Sequence, residues 1–291
     1  MDPIGRQPSR APESVDTEID YLVPTSRINR RFWAPGAELN TGVYQSYPVT
    51  IHNARLAPEP FTLDRHGFCL ARHRTAVTDW RDACHVDAIY PAEVIVRTKE
   101  LTGADLVVPM GGMVRSTGQT GPGVQPPAAE AHVDFTTKTA NKLAARLYEA
   151  AAPGGPGYDR FIAFSFWRAT SPPPQSWPLA LCDGSSVGDA EGTRNTKVDV
   201  DVLPEGDDLW REIPDEEDMV AATIFHHSPG HRWYYYPDMI ADEIVFIKFH
   251  DSDHNRAWRA PHTAFHDTSR PDAVIRESYE YRGVAFFSKK G

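Results

Sequence analysis

Cysteine is scarce in this sequence. Cys69, Cys84 and Cys182 are the only three; they are widely spaced and form no CxxC pair. That excludes a disulfide framework and a zinc ribbon, and it reads as the reduced complement of an intracellular, cytoplasmic protein. No run of about 18 apolar residues occurs, so no membrane-spanning helix is expected. The opening Met1–Ala11 segment is polar and lacks the apolar centre of a signal peptide. Positive charge is also short: 30 Lys and Arg stand against 40 Asp and Glu, a formal net charge of −10. A nucleic-acid binder wants a basic face, so that class is excluded. No internal repeat or linker-like block is visible. A single domain over residues 19–291 is therefore expected, behind a disordered tail at 1–18.

Turn chemistry and aromatic side chains are plentiful. The chain carries 25 prolines, 20 glycines and 11% aromatic residues, a mixture that favours a β-rich core with long loops. Between Tyr21 and Leu63 short strand-like runs occur, among them Val49-Thr50-Ile51 and Phe61-Thr62-Leu63. Residues 75–102 read as a helix, with Pro91 in its first turn and Gly103 just past its end. Leu106-Val107-Val108 reads as a short strand. Together these form an N-terminal α/β flank that buttresses the core. The Gly/Pro-rich residues 116–131 read as a loop, either a lid over a site or a plain solvent loop. Thr136 or Thr137 caps a helix to Ala152, whose stripe Ala140, Leu143, Ala144, Leu147 and Ala151 is core.

Phe161–Trp167 is a near-continuous apolar run, suited to a strand buried on both faces. Leu179–Asp183 is a further strand, and 184–196 a loop. Val198, Val200 and Val202 alternate with Asp199 and Asp201 as a half-buried strand, and acidic 205–218 is a solvated face. Strands are expected again at 221–225, 233–236, 244–249 and 274–287. The pattern fits a β-rich α+β fold: a distorted double-stranded β-helix (jelly roll, cupin-like) with flanking helices.

His132-Val133-Asp134 carries the chemistry. In extended chain, residues i and i+2 point the same way, so an imidazole and a carboxylate converge. Two ligands do not hold an iron ion, and His262, far downstream, supplies a third. Two His and one carboxylate with open positions suit non-haem Fe(II) that activates O2. His231 competes for the third place. His227 and His231 are four apart, but Pro229-Gly230 between them prevents a helix from presenting both. Arg276 follows His262, and an arginine is the planar, always-charged fork that a distal carboxylate needs. Ser278 lies on the same strand face and can add a hydrogen bond, Glu280 and Arg282 continue that face, and Tyr279 and Tyr281 take the other. The alternative is an Arg276 that faces solvent and pairs with Glu280. Arg168 suits either a co-substrate carboxylate or a structural ion pair. Trp233 and Tyr235, with His231, suit either a substrate pocket or the core.

Several stretches carry a resemblance: Lys99-Glu100-Leu101-Thr102-Gly103-Ala104, Trp167-Arg168, Pro178–Asp183, His231–Met239, Asp242-Glu243, His262-Thr263-Ala264-Phe265 and Arg276–Arg282. As an ordered set over residues 60–287 they resemble the CmcJ/AsaB-type family of hydroxylases and desaturases, which includes NvfI-type endoperoxide-forming oxygenases. Departures are Ala169-Thr170 after Trp167-Arg168, the Pro-rich loop that follows, and Tyr236 where the family pattern is nearer Phe. The resemblance implies Fe(II), 2-oxoglutarate and O2, with oxidation of a C–H bond of a small, secondary-metabolite substrate by hydroxylation, desaturation or related radical chemistry. Two other readings stand beside it: a cupin-like metal-binding protein without 2-oxoglutarate-dependent activity, and a metal-dependent enzyme without 2-oxoglutarate. Neither a nucleic-acid nor a membrane partner is expected, and the oligomeric state is open, a homo-oligomer included.

Overall fold

A strand made of Phe161-Ile162-Ala163-Phe164 and Phe166-Trp167 is stable only where both of its faces are covered. The computed structural model, which describes residues 11–118 and 123–289, puts this strand inside a two-sheet stack. Its strands in chain order are β1 (Ser14–Leu22), β2 (Arg30–Ala34), β3 (Ala37–Asn40), β4 (Tyr44–Asn53), β5 (Phe68–Arg72), β6 (Leu106–Ser116), β7 (Val124–Gln125) and β8 (His132–Val133). They continue as β9 (Tyr158–Ala169), β10 (Leu179–Cys182), β11 (Thr193–Asp199), β12 (Ala221–Ile224), β13 (Trp233–Tyr235), β14 (Glu243–Asp251), β15 (His262–Ala264) and β16 (Glu277–Ser288). The helices are α1 (Leu63–His66), α2 (Ala83–Thr102) and α3 (Thr137–Ala151).

Ten strands form one sheet in the order β1-β4-β13-β10-β15-β8-β12-β11-β2-β3, and six form the other in the order β5-β14-β9-β16-β6-β7. Both are mixed: β4–β13, β2–β11 and β6–β7 pair parallel, and the remaining ladders are antiparallel. The chain is thus β-rich with few helices, as expected.

Alternation assigns the faces of the six-stranded sheet. Phe164, Phe166, Ile244, Phe246, Tyr279 and Tyr281 pack with Val86, Tyr90 and Val94 of α2. On the other face Ala163, Phe249, Val284 and Phe286 share a core with α3 and with Ala180, Trp233 and Tyr235 of the ten-stranded sheet. Helix α3 starts where expected, with the Thr136 hydroxyl accepting from Thr139 N–H. Ala140 and Ala144 are buried there, whereas Ala151 is exposed.

Several boundaries differ from expectation. Ser14–Thr17 belongs to β1, where it pairs with β4, so the tail does not extend to residue 18. Residues 1–10 of that tail, and 119–122 of the loop ahead of His132, lie outside the described residues. The N-terminal strands are no separate flank. β1 and β4 close one edge of the large sheet, and β2 and β3 the other. Helix α2 begins at Ala83, where the Asp82 side chain accepts from His85 N–H, so Pro91 sits inside the helix and not in its first turn. Gly103 does end it, at φ 74°. Leu63 opens α1 and continues no strand. β6 runs on to Ser116 because a bulge absorbs Pro109-Met110-Gly111: Arg282 pairs with Gly111 and Gly283 with Pro109. Proline in a strand interior is tolerated at such a bulge. β11 lies earlier than the valine alternation implied, and Val202 beyond it is 79% exposed.

His250 on β14 is 1% exposed, with Phe161, His254 and Trp258 rings around it and no hydrogen bond at Nδ1. Burial, with charge on His254 adding, pushes its pKa down to about 4 from the ordinary 6.5. The unfolded chain therefore takes up this proton more readily, and His250 must cost stability as pH falls from about 6.5 to 4. Thermal melts of His250→Phe are expected to fall less steeply than wild type across that window. Parallel pH profiles for the two proteins would contradict this.

Candidate metal centre

β8 and β15 lie side by side in the middle of the ten-stranded sheet, and their register sets His132 opposite His262. The two imidazole centroids are 4.5 Å apart. Asp134 follows β8 directly, two residues from His132, and its Oδ1 lies 3.3 Å from His132 Nε2 and 4.0 Å from His262 Nε2. One donor atom from each of the three falls within 4.8 Å of the others.

Backbone carbonyls fix which nitrogen each ring presents. His132 Nδ1 is 2.8 Å from Glu130 O, and His262 Nδ1 is 3.1 Å from Ala260 O. A carbonyl only accepts, so each Nδ1 donates to it, and each Nε2 is the ring nitrogen that faces Asp134. Phe249 stacks on His262 at 5.5 Å and 15° between planes.

The electrostatics separate the three groups. Burial works to raise the Asp134 pKa, but the Arg282 guanidinium and then His132 outweigh it and hold the carboxyl well below the usual carboxylate range. Burial also works against charge on His132, yet its hydrogen bond to Asp134 and the charges of Asp134 and Glu130 leave its pKa raised. His262 is pushed down to about 4 by burial and by the charge on His132. An ionised carboxylate and two converging imidazole nitrogens form a donor set that suits a divalent first-row metal with open positions.

A pocket opens beside the two histidines, lined also by Arg276, Trp167, Arg115 and Glu280. Arg276 immediately precedes β16 and is 2% exposed. Its NH1 donates to Trp177 O at 2.6 Å, whereas its Nε has no partner, and no carboxylate pairs with it among the described residues. Burial, with Arg115 adding, pushes its pKa down to about 9. The solvent-facing Arg276–Glu280 pair is therefore excluded, since Glu280 instead accepts from Arg115 Nε and Arg282 Nε, each at 2.7 Å. Ser278 Oγ is buried without a partner.

Four expected site residues lie elsewhere. Arg168 points to the α2 side of the sheet. It donates to Tyr90 Oη at 2.8 Å and to Ala241 O at 2.8 Å, with His73 Nδ1 as its third neighbour. Parity decides this: Trp167 lines the pocket, so the next residue on β9 cannot. His231 Nε2 meets Glu191 Oε2 at 2.6 Å and its Nδ1 meets Tyr21 Oη at 3.2 Å, so both nitrogens are engaged away from the cluster. Trp233 donates to Tyr21 Oη at 2.8 Å, and Tyr235 packs edge-on against Phe265. Both are core side chains. Reading the sequence alone missed Arg115 and the contact of Arg282 with Asp134, because neither β6 nor its register carries a local signal for them.

A family model described as an oxidoreductase/YMDC permease-like domain matches residues 19–286. No helix among the described residues is long and apolar enough to cross a membrane. The hydroxylase/desaturase efuI of Hormonema carpetanum is 31% identical over 84% of this chain and 85% of its own. The Fe(II)/2-oxoglutarate-dependent dioxygenase nvfI of Aspergillus novofumigatus is 28% identical over 87% of each. Among solved structures, the iron and alpha-ketoglutarate-dependent endoperoxidase NvfI superposes with a TM-score of 0.79 at 25% identity, covering 95% of this chain and 99% of that one.

Arg168→Met removes charged hydrogen bonds worth about 1.5–3 kcal/mol each. It is expected to lower the thermal midpoint while leaving 2-oxoglutarate affinity at the wild-type value. A selective loss of 2-oxoglutarate binding would return Arg168 to the site.

Proposed function

This chain belongs to the family of Fe(II)/2-oxoglutarate-dependent hydroxylases and desaturases, and on that premise we propose that His132, Asp134 and His262 hold its iron while Arg276 and Ser278 anchor 2-oxoglutarate. The observation that carries the metal assignment is the convergence of two Nε2 atoms, each ring set by an Nδ1–carbonyl contact, on one carboxylate oxygen. The observation that supports the anchor is the buried Arg276 guanidinium, which among the described residues has no carboxylate partner and an orphaned donor at Nε. An unpaired buried charge costs several kcal/mol, roughly, so the fold is better satisfied when an anion enters.

When bound, ferrous iron with 2-oxoglutarate and O2 supplies the oxidising power that breaks a C–H bond. The chain's own part is binding, orientation and exclusion of water. His132 and His262 bind through Nε2 and Asp134 through Oδ1. Arg276 meets the far carboxylate of 2-oxoglutarate as a fork, with the Ser278 hydroxyl beside it. Trp167 walls the pocket under Arg276, its ring centroid 5.7 Å from the guanidinium carbon. The substrate is a small molecule of the secondary-metabolite kind, and hydroxylation is the default outcome, with desaturation the alternative fate of the same substrate radical. The two facing sheets are those of a distorted double-stranded β-helix, with β8 and β15 as its metal-bearing strands. Three free thiols fit a cytoplasmic location.

Anaerobic addition of Fe(II) and 2-oxoglutarate is expected to raise a visible metal-to-ligand charge-transfer band. Iron binding without the band would favour a metal enzyme that does not use 2-oxoglutarate. No binding would favour a cupin-like protein with a relict pocket. Asp134→Ala is expected to abolish succinate formation with the fold intact, and full turnover in that variant would sink the assignment. Arg276→Ala is expected to weaken 2-oxoglutarate far more than iron; equal weakening of both would contradict an anchoring role.

A further inference from the structure

Asp134 has two carboxylate oxygens, and they meet different partners. Oδ1 faces the two histidine Nε2 atoms. Oδ2 lies 2.6 Å from Arg282 NH2, an ion-pair contact outside hydrogen-bond geometry, and makes no hydrogen bond. Arg282 comes from the opposite sheet, on the inner face of β16, and it is held from two further sides. Its Nε donates to Glu280 Oε1 at 2.7 Å, and its guanidinium carbon lies 5.8 Å from the centroid of Phe249, the ring that stacks on His262. Glu280 is itself fixed by Arg115 Nε at 2.7 Å, and Arg115 NH1 donates to Pro126 O at 3.0 Å.

The backbone supports this aim. The β6 bulge lies directly across from Arg282, and bulges next to sites re-aim the side chains beside them. The next residue is Gly283, where a Cβ would come within 2.7 Å of the Phe164 ring, so this part of β16 leaves no room for a side chain there.

We propose that Arg282 is a positioning residue for the metal centre, engaging Asp134 Oδ2 so that Oδ1 alone is offered to the metal. The proposal rests on the iron and 2-oxoglutarate reading above. A carboxylate that chelated through both oxygens would take one more of the open positions that a chelating 2-oxo acid and O2 need together. Arg282 prevents this with a charge-assisted contact, and the Glu280–Arg115 chain keeps Arg282 from following the carboxylate. Its part is orientation: it holds a ligand and touches neither metal nor substrate.

The test is an anaerobic Co(II) titration followed by visible absorption. It compares wild type, Arg282→Lys, Arg282→Met, Asp134→Asn and the double variant Asp134→Asn/Arg282→Met. Arg282→Met is expected to change the shape of the Co(II) d–d band and to weaken Co(II) by about 10- to 100-fold, the range seen when a partner of a metal ligand is lost. Arg282→Lys restores most of the affinity. In the Asp134→Asn background Arg282→Met adds little, because no carboxylate charge is left to position. A wild-type band in Arg282→Met, or an equal loss in both backgrounds, overturns the proposal. Where Arg282→Met yields no folded protein, Glu280→Met, which removes the acceptor, decides. Releasing Arg282 Nε must shift the band, and an unchanged band overturns the role. Wild-type protein that takes up no Co(II) overturns the metal reading itself, and the role of Arg282 with it.

Discussion

The pairing of His132 with His262 across two very short strands is the constraint on which the site depends. β8 has only two residues and β15 three, too few for either ladder to persist alone. Their neighbours β12 and β10 hold them in line. With the register fixed, the two imidazoles stand side by side, and the period-two alternation of extended chain delivers Asp134 to the same spot. The two backbone carbonyls at Glu130 and Ala260 then choose the ring nitrogen that faces inward. A slip of one residue in this register would turn one histidine to the other face and dismantle the cluster.

The second constraint is charge in a largely buried space. Asp134, Arg282, Glu280 and Arg115 alternate in sign along one connected chain between the sheets. Each member offsets the desolvation of the next, as buried ions require. Arg276 stands outside this chain, and it is the buried guanidinium beside the histidines that no carboxylate neutralises among the described residues. The contrast between a neutralised set around the carboxylate and an unmatched cation nearby is what gives the pocket its polarity: an unpaired cation, the proposed anchor of a dianionic co-substrate, beside a set of candidate metal donors.

Much of this was legible from local pattern. The convergence of the His132 and Asp134 side chains follows from their spacing in extended chain. The Thr136 cap and the alanine stripe give α3, and the alternation Ser278, Glu280, Arg282 against Tyr279, Tyr281 gives the inner and outer faces of β16. What the sequence did not carry is register between strands. Arg168 suits either a carboxylate or a structural role in sequence because the side of β9 facing the histidines is set by pairing with β16, not by β9 itself. His231 competes for the third ligand place in sequence because its partners, Tyr21 and Glu191, lie far away in the chain. The N-terminal strands looked like a flank because nothing in residues 14–53 announces that they close both edges of the large sheet. The apolar run Leu106-Val107-Val108 gives no sign of the bulge that carries β6 past Pro109-Met110-Gly111.

The central claim is that His132, Asp134 and His262 grip one divalent ion. Anomalous diffraction from crystals grown anaerobically with Mn(II), recorded at the manganese edge, tests it most directly. The account predicts one strong peak bounded by His132 Nε2, His262 Nε2 and Asp134 Oδ1, on the side facing Arg276. A fully loaded crystal with its peak elsewhere, or none between these three atoms, would contradict it.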